Sequence, residues 1–263
     1  MAPLHNILFL DIETAPQYPS FDVMPDTWKE LWKTKADVIS RHHDNATADE
    51  LYNRAGIYAE FGKIICISCG YIIGKGETKR LIIKSFYHDD EKILLYEFSN
   101  MLNKWTADGN KYLCAHNGKE FDFPYLCRRM TILGLRMPSI LQVTGKKPWE
   151  VPFLDTMELW KFGDYKSYTS LHLLSNVLGI PSSKDDMDGS MVCEVYWGAQ
   201  TQEDRDRSLH RIATYCQKDV VTAAQVYLRL QGEDLVEREN IELKAEQKAE
   251  LIIHGSYKLF IGG

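Results

Sequence analysis

The stretch that most constrains the fold lies near the amino terminus and reads NILFLDIETAP over residues 6–16. Its apolar residues follow one another without the alternation of a half-exposed strand. Residues 6–13 are therefore predicted to form a central strand that is covered on both faces. Asp11 and Glu13 stand at the end of this run, although charged side chains are seldom buried unless they are paired or bind a metal. The fold must supply this strand end with either water or a compensating cation.

Asp11 and Glu13 lie two residues apart, so a strand presents both carboxylates on the same face. That arrangement suits a hard cation such as Mg²⁺, which prefers a few carboxylate oxygens together with water and substrate phosphate. The alternative is a strand end whose charges simply reach water. The stretch alone leaves both interpretations open.

Strand and helix patterns alternate along the rest of the chain. Apolar runs bounded by turn residues predict strands at 63–74, 79–87 and 111–118, and a short strand that turns into a helix at 153–162. Apolar residues at helical spacing, with capping residues at their ends, predict helices at 90–105, 124–134, 170–179 and 201–230. This order indicates an α/β fold in which a mixed central sheet carries helices on its faces.

The chain is predicted to hold one domain over residues 1–232, with an insertion inside it and a tail behind it. The insertion spans residues 17–60, where Trp28 and Trp32 recur at helical spacing. The tail, residues 233–263, begins with the charged pattern of a helix and has no assigned role.

Composition limits the classes of protein that this sequence can encode. No stretch approaches about 20 consecutive apolar residues, and the amino terminus lacks a basic segment followed by an apolar one, so neither a transmembrane helix nor a secretory signal is expected. Cys66 and Cys69 form a CxxC pattern without a second pair. The six cysteines are interpreted as reduced and buried, as in a cytoplasmic protein. The net charge of −6 does not indicate a basic surface for phosphates.

Two further acids follow strand or helix signals downstream. Asp122 ends the stretch HNGKEFD, where it would cap the next helix or stand at the mouth of a site. Tyr215 and Asp219 lie four residues apart, hence on one face of the helix predicted at 201–230. Apolar residues after Asp219 place that acid in a buried setting, which requires a partner or a metal; the alternative is an acid on the exposed edge.

Three short motifs in chain order resemble those of a known enzyme family. DIET resembles the DxE motif, NGKEFD the NxxxFD motif and YCQKD the YxxxD motif of the DEDD superfamily of 3′–5′ exonucleases. The residue five positions before Asp219 is Thr214 rather than His, so the sequence resembles the tyrosine branch. Over residues 5–232 the chain is most similar to predicted exonucleases related to the proofreading domain of family B DNA polymerases, and it is too short to hold a polymerase domain.

The resemblance implies a ribonuclease H-like fold and two divalent metal ions, Mg²⁺ or Mn²⁺. It implies that the four motif acids hold the metals and that Tyr215 orients the attacking water; the acids are Asp11, Glu13, Asp122 and Asp219. Such an enzyme would act on the 3′ end of single-stranded nucleic acid, DNA in preference to RNA, and release nucleoside 5′-monophosphates. The same chemistry on RNA and a catalytically silent nucleic-acid-binding module are the alternatives.

Contacts to the substrate are expected close to these motifs. Thr14 and Ala15 follow the first two acids and would meet the terminal nucleotide, while Asn117 and Phe121 would reach the sugar or stack on the end base. The nucleic-acid backbone is expected to meet basic residues, namely Lys146, Lys147, Arg128 and Arg129. Asp155 is interpreted as a cap or turn residue, with contact to the second metal as the alternative.

A phosphatase of the haloacid dehalogenase type is a rival interpretation of LFLDIET. That chemistry needs a second Asp two residues after the first, where this chain has Glu13. It also leaves the YxxxD helix unexplained. A covalent aspartyl-phosphate would distinguish it from a two-metal exonuclease, which forms none.

Overall fold

A six-stranded mixed sheet forms the centre of the computed structural model, which describes residues 2–41, 46–164, 168–181 and 187–244. The strands are β1 (Ile7–Pro16), β2 (Gly62–Ile73), β3 (Arg80–Tyr87), β4 (Tyr112–Ala115), β5 (Phe153–Asp155) and β6 (Ile241–Leu243). Their spatial order is β5-β4-β1-β2-β3-β6. β2 pairs antiparallel with both β1 and β3. β4 pairs in parallel with β1, β5 with β4, and β6 with β3.

Helices pack on both faces of this sheet. They are α1 (Asp26–Ser40), α2 (Glu91–Trp105), α3 (Asp122–Ile132), α4 (Thr156–Lys161), α5 (Leu171–Val177), α6 (Val192–Trp197) and α7 (Gln202–Leu230). α2 and α3 cover one face, and α7 lies on the other. The predicted α/β class, with a mixed central sheet and helices on its faces, is confirmed. No helix in the described ranges is both long and apolar enough to cross a bilayer.

β1 is buried on both faces, as its apolar sequence predicts. Leu10 points into the core beneath α2 and α3. Phe9 points toward α7, where its ring lies 5.5 Å from that of Tyr227. Because side chains alternate along a strand, Asp11 and Glu13 continue the series that faces α7. The two acids therefore stand on the side of the sheet that α7 covers.

β1 runs three residues further than the sequence predicts, to Pro16 instead of Glu13. Its pairing with β2 shifts register between Glu13 and Thr14, and the ladder then continues until Pro16 lies opposite Gly62. A bulge of this kind bends a strand without ending it. Proline suits the last position, because it has no N–H to donate to a further ladder bond.

The insertion forms α1 and a 3₁₀ segment at Tyr52–Ile57. Trp32 of α1 is fully buried against the rings of Tyr52 and Phe61. Its indole N–H donates a hydrogen bond to the Ala48 carbonyl at 2.7 Å. The helix predicted from the spacing of the tryptophans is therefore present, and it packs in a small hydrophobic cluster of its own.

The tail differs from the helical expectation where the structure describes it. β6 pairs in parallel with Leu81, Ile82 and Ile83 of β3. Val236 is buried, and two hydrogen bonds join its backbone to Gln225 of α7. The prediction of a helix is therefore wrong for residues 233–244, because the edge of β3 offers ladder bonds that a separate helix would leave unused. Residues 245–263 lie outside the described part, and the division of the chain at residue 232 stays a prediction.

α2 begins where its capping residue predicts. The Asp90 carboxylate accepts hydrogen bonds from the amides of Lys92 and Ile93. Asp90→Ala is expected to lower the free energy of unfolding by about 1 kcal/mol, as measured by urea denaturation. Asp90→Asn keeps an acceptor oxygen and should retain most of the stability. An alanine variant as stable as the wild type would contradict the cap.

Candidate metal centre

Residues of the three motifs meet in one cavity of about 340 Å³. The cavity lies beside the middle of β1 at the point where β4 ends, next to the start of α3 and the middle of α7. Its lining comprises the motif residues Asp11, Glu13, Asn117, Phe121, Asp122, Tyr215 and Asp219, together with Ile12, Ile57, His116 and Tyr168. The fold thus brings together all four motif acids and the motif tyrosine, which are far apart along the chain.

The cavity forms because β4 ends early beside β1. β4 pairs with β1 from Ile7 to Phe9, and the chain then turns away at Asn117, whose φ of 61° lies in the left-handed region. Asparagine tolerates this backbone better than most residues do. The Asp155 carboxylate fixes the turn by accepting the amide hydrogens of Asn117 and Lys119. A crevice at the carboxyl ends of parallel strands is a common place for a ligand.

Asp155 is a buried cap and lies behind the cavity wall. Its carboxylate is 2% exposed and also accepts the amide hydrogens of Met157 and Glu158 at the start of α4. These four amide donors engage both carboxylate oxygens. The interpretation of Asp155 as a cap or turn residue is confirmed.

Asp122 is the first residue of α3 rather than its cap, which is Phe121. Its Oδ1 accepts the amide hydrogen of Ile12 at 3.1 Å, and the side chain is 3% exposed. The bond satisfies an N–H on the part of β1 that extends past β4. It also fixes the start of α3 against the strand that carries the first two acids. Of the two interpretations of Asp122, helix capping is wrong, since the carboxylate points to β1.

α7 presents the last motif to the same cavity. Tyr215 and Asp219 are one helical turn apart, and the Tyr215 hydroxyl donates a hydrogen bond to the Asp219 carboxylate. Cys216 is the next residue on this helix, and its Sγ lies 3.3 Å from Asp11 Oδ2. α7 thus contacts the acid-bearing end of β1 directly.

Burial and mutual repulsion raise the pKa of three of these carboxyl groups, those of Asp11, Glu13 and Asp122. Burial is the largest cause for Asp11, and the charges of Asp122 and Asp219 add to it. Burial also raises the pKa of Glu13 most, followed by the charges of Asp11 and Asp219. The pKa of Asp122 rises to about 7, chiefly through burial, against the opposing hydrogen bond from Ile12. A cation bound nearby would lower these raised pKa values and allow the carboxyl groups to ionise together.

The donor set fits hard divalent cations. Four carboxylates carry a charge of −4 when ionised, and two dications would bring it to zero, since −4 + 4 = 0. Carboxylate oxygens are the ligands that Mg²⁺ prefers, and the cavity leaves space for water and phosphate. The closest three ligand atoms belong to Asp11, Glu13 and Cys216, which all lie within 4.8 Å of one another. Asp122 and Asp219 line the same cavity outside this closest set.

The raised pKa of Asp122 predicts a pH-dependent contribution to stability. A carboxyl group whose pKa is raised in the folded state stabilises the fold while it is protonated. This contribution is complete below the unfolded-state pKa of 3.8 and is lost as pH rises through about 7. Relative to the metal-free wild type, Asp122→Asn should therefore become more stable as pH rises across this range. Asparagine retains an oxygen for the Ile12 amide. Urea denaturation in chelator at several pH values measures the difference, and a difference that stays constant would contradict the prediction.

Only some of the residues expected to contact the substrate line the cavity. Asn117 and Phe121 line the cavity. Thr14 is half-buried and its hydroxyl bonds to Tyr125, while Ala15 is fully buried against α6 and α7. Neither Thr14 nor Ala15 is part of the cavity lining. Ala15 packs in the core and the carboxylates before the bulge face the cavity, while contact of Thr14 and Ala15 with the terminal nucleotide stays a prediction.

The expected backbone-binding residues lie outside the acidic cavity. Lys146 and Lys147 are exposed on the loop before Pro148, and Lys147 lies over the Trp149 ring at 5.4 Å. Arg128 is exposed and lines a separate groove of about 780 Å³ between α3 and this loop. Contact of these three side chains with a nucleic-acid backbone stays a prediction.

Arg129 is buried, unlike its neighbour Arg128. Its side chain is 3% exposed and binds both carboxylate oxygens of Glu91, at 2.9 and 2.6 Å, together with the Ala59 carbonyl at 2.8 Å. The prediction that Arg129 contacts nucleic acid is wrong, because its guanidinium is buried in an internal ion pair.

Several residues at the site carry no signal in the sequence. His116 has no ligand spacing, and two hydrogen bonds hold its ring, yet the ring also lines the cavity. Cys216 follows Tyr215 directly within YCQKD, where the sequence shows only an ordinary cysteine. Ile57 and Tyr168 come from the insertion and from the segment before α5, and only the fold places them at the cavity.

A family model agrees with this architecture. Residues 54–231 match the family model of the RNase_H superfamily. No curated protein gives a significant match to the chain. Among solved structures, the chain is similar to the family B DNA polymerase from the hyperthermophilic archaeon Pyrobaculum calidifontis, with 14% sequence identity and a TM-score of 0.46 over 86% of this chain. This chain spans 25% of that polymerase's length.

The family match contains Asp122, Tyr215 and Asp219 but begins after β1, so Asp11 and Glu13 are placed at the site by the structure. The match covers more than half of the chain and is consistent with the resemblance to DEDD exonucleases. The protein belongs to the RNase_H superfamily.

Proposed function

We propose that this protein is a metal-dependent 3′–5′ exonuclease that removes nucleoside 5′-monophosphates from the 3′ end of single-stranded DNA. Membership of the RNase_H superfamily supports a nuclease-type function on nucleic acid. The observation that carries the finer proposal is the convergence of three separate motifs in one cavity, through Asp11, Glu13, Asp122, Tyr215 and Asp219. Each of these side chains has a use in two-metal phosphodiester hydrolysis.

The motif acids would hold two divalent cations. Asp11, Glu13 and Asp219 would share the first, and Asp11 with Asp122 would hold the second. When bound, such ions activate a water at neutral pH and offset the charge that develops on the leaving oxygen. The hydrogen bond from the Ile12 amide keeps the Asp122 carboxylate oriented before the ions arrive. Glu13 and Asp122 are buried, and a buried carboxylate is costly without a compensating positive charge, which favours ion binding here.

Tyr215 would position the attacking water without removing its proton. Burial and the Asp219 charge raise the pKa of the phenol above its ordinary value, so the hydroxyl stays protonated at neutral pH. The hydroxyl donates to Asp219, and its lone pairs can still accept a hydrogen bond from a water molecule. Tyr215 can therefore orient a water relative to the acids on β1.

The cavity favours a single chain end as the substrate. A volume of about 340 Å³ is at the low end for ligand pockets, which suits one terminal nucleotide better than a duplex. Phe121 offers an aromatic face on which any base can stack. Discrimination between DNA and RNA depends on contacts to the 2′-hydroxyl, and RNA is the second substrate to test.

The proposal is tested with single-stranded DNA and RNA labelled at either end, incubated with Mg²⁺, Mn²⁺ or a chelator. We expect stepwise shortening from the 3′ end, release of nucleoside 5′-monophosphates, and no hydrolysis in chelator or by Asp11→Ala. The matched control is Asp22→Ala, which removes an exposed carboxylate outside the cavity and should leave the rate unchanged.

Two outcomes would contradict the proposal. Tight binding of single strands without hydrolysis in either metal would indicate a catalytically silent binding module. A phosphoenzyme trapped by acid quench would indicate the chemistry of an aspartyl-phosphate phosphatase, since a two-metal nuclease forms no covalent intermediate.

A further inference from the structure

A second concave surface lies next to the acidic cavity and takes no part in the proposed hydrolysis. This outer groove, of about 780 Å³, lies between α3 and the loop that leads to β5, and Phe123, Arg128 and Val151 are among its lining residues. We infer that the outer groove binds the part of a single-stranded nucleic acid that leads to the cavity, and that Trp149 beside it stacks on a base. The inference rests on the proposed function.

The outer groove and the acidic cavity share a wall. Asn117 and Phe121 line the cavity, whereas Lys119 and Phe123 line the groove. Because these residues interleave along one short segment, the two spaces lie on its two sides. The cavity, at about 340 Å³, suits one terminal nucleotide, so the nucleotides further from the 3′ end have to lie outside it. The groove is an adjoining space that is large enough to receive them.

Trp149 is an aromatic residue that the fold leaves in solvent. It lies between Pro148 and Val151, which both line the groove, and it is 78% exposed. Ile132 lines the groove from α3 and is 52% exposed. Exposed apolar side chains that border a groove are typical of an interaction site. An indole ring can stack on any base without selecting a sequence, which suits an enzyme that shortens strands of any sequence.

The cations beside the groove favour a nucleic acid over an apolar peptide as the occupant. Arg128, Lys146 and Lys147 are exposed, and none of them forms an ion pair within the described ranges. Lys147 lies instead over the Trp149 ring, 5.4 Å from its centre. The chain as a whole carries a net charge of −6, so these cations form a local exception. A groove that combines cations with an exposed aromatic ring is the usual design for binding single strands.

Two acidic side chains also line the groove and restrict the path of the phosphates. Glu158 forms an ion pair with Lys119, which offsets its charge. Glu60 is exposed and would repel a phosphate beside it. The phosphates are therefore expected to follow Arg128 and the loop lysines.

Binding in chelator tests the groove without hydrolysis. The probe is a fluorescein-labelled oligothymidylate of about 16 nucleotides, the upper end of common site sizes for single strands. Trp149→Ala should weaken its binding by about fivefold or more, the usual effect of losing one stacked base. Trp149→Phe keeps an aromatic face and should retain most of the affinity. Tyr96→Ala is the matched control, because it removes an exposed aromatic ring on α2, outside the groove lining.

The salt dependence of binding tests the cations separately. The double variant Lys146→Ala, Lys147→Ala should lower the slope of log affinity against log salt by about 1.4, since each phosphate contact to a single strand contributes about 0.7. The double variant Lys92→Ala, Lys104→Ala removes two exposed lysines of α2 and should keep the wild-type slope. Urea denaturation of each variant shows that it folds.

Initial rates with Mn²⁺ separate the groove from the cavity. For the long oligothymidylate, Trp149→Ala should raise KM by about fivefold or more and leave kcat unchanged, because the ring binds the substrate away from the reacting bond. A dinucleotide is too short to occupy both sites, so its KM should not change.

Equal affinity of Trp149→Ala and the wild type for the long oligothymidylate would overturn the inference, and so would an equal rise in KM for the dinucleotide. Either result together with metal-dependent hydrolysis would leave the proposed nuclease function intact. Binding that depends on Trp149 but leads to no hydrolysis in Mn²⁺ would support the groove and contradict the proposed nuclease.

Discussion

Asp219→Asn is expected to lower the rate of hydrolysis at the 3′ end by about 10³-fold or more, which raises the activation barrier by about 4 kcal/mol. Asp219 lines the cavity and bonds to Tyr215, and its charge contributes to the raised pKa of Asp11 and Glu13. A neutral amide is a poorer ligand for a hard cation than a carboxylate. Initial rates on 3′-labelled single-stranded DNA at saturating Mn²⁺ measure the effect.

Two observations would separate this loss from misfolding. Asp219→Asn removes a charge that repels Asp11 and Glu13, so the free energy of unfolding of the metal-free variant should equal or exceed that of the wild type. Asp206→Asn makes the same change on α7, about 20 Å away along the helix axis, and should keep full activity. An Asp219→Asn enzyme within tenfold of the wild-type rate would remove this residue from the proposed site.

Arg129→Met is expected to lower the free energy of unfolding by about 3–5 kcal/mol, the usual cost of leaving one member of a buried ion pair alone. Glu91 and Arg129 are 6% and 3% exposed. Glu91 also accepts the Ile64 amide hydrogen at 2.7 Å, so it is held in place and cannot turn toward water. Methionine fills similar volume, and the loss should therefore come from the unpaired charge on Glu91. Urea denaturation at neutral pH measures it.

The neighbouring arginine supplies the control. Arg128→Met changes an exposed side chain and should alter stability by less than about 0.5 kcal/mol. The double variant Glu91→Gln, Arg129→Met should recover part of the loss, because no buried charge is then left unpaired. A single Arg129→Met variant that loses under about 1 kcal/mol would show that Glu91 finds another partner.

The sheet and the site could be predicted because their signals are local. The continuous apolar run before Asp11 reports burial on both faces of β1, and the spacing of Tyr215 and Asp219 reports one face of a helix. The first two motifs lie on a strand and at the start of a helix, whereas the third lies in the middle of α7. Their meeting at one site was expected from the family resemblance. The structure places them in one cavity.

What could not be predicted depends on partners that are distant along the chain. Arg129 looks like its neighbour Arg128 in sequence, and only the packing of α3 against α2 shows which one is paired. Cys216 gains significance only where α7 meets β1. The extension of β1 past its bulge, and the strand in place of a helix after α7, both follow from backbone bonds to another strand.

β6 covers part of the outer edge of β3, although it contributes just three residues. Without it, β3 would present unpaired N–H and C=O groups next to apolar side chains, and exposed strand edges recruit other polypeptides. A polypeptide ending at residue 232 would therefore tend to self-associate, even with every acid of the cavity in place. The short strand protects this edge, whereas the acids on β1 lie three strands away.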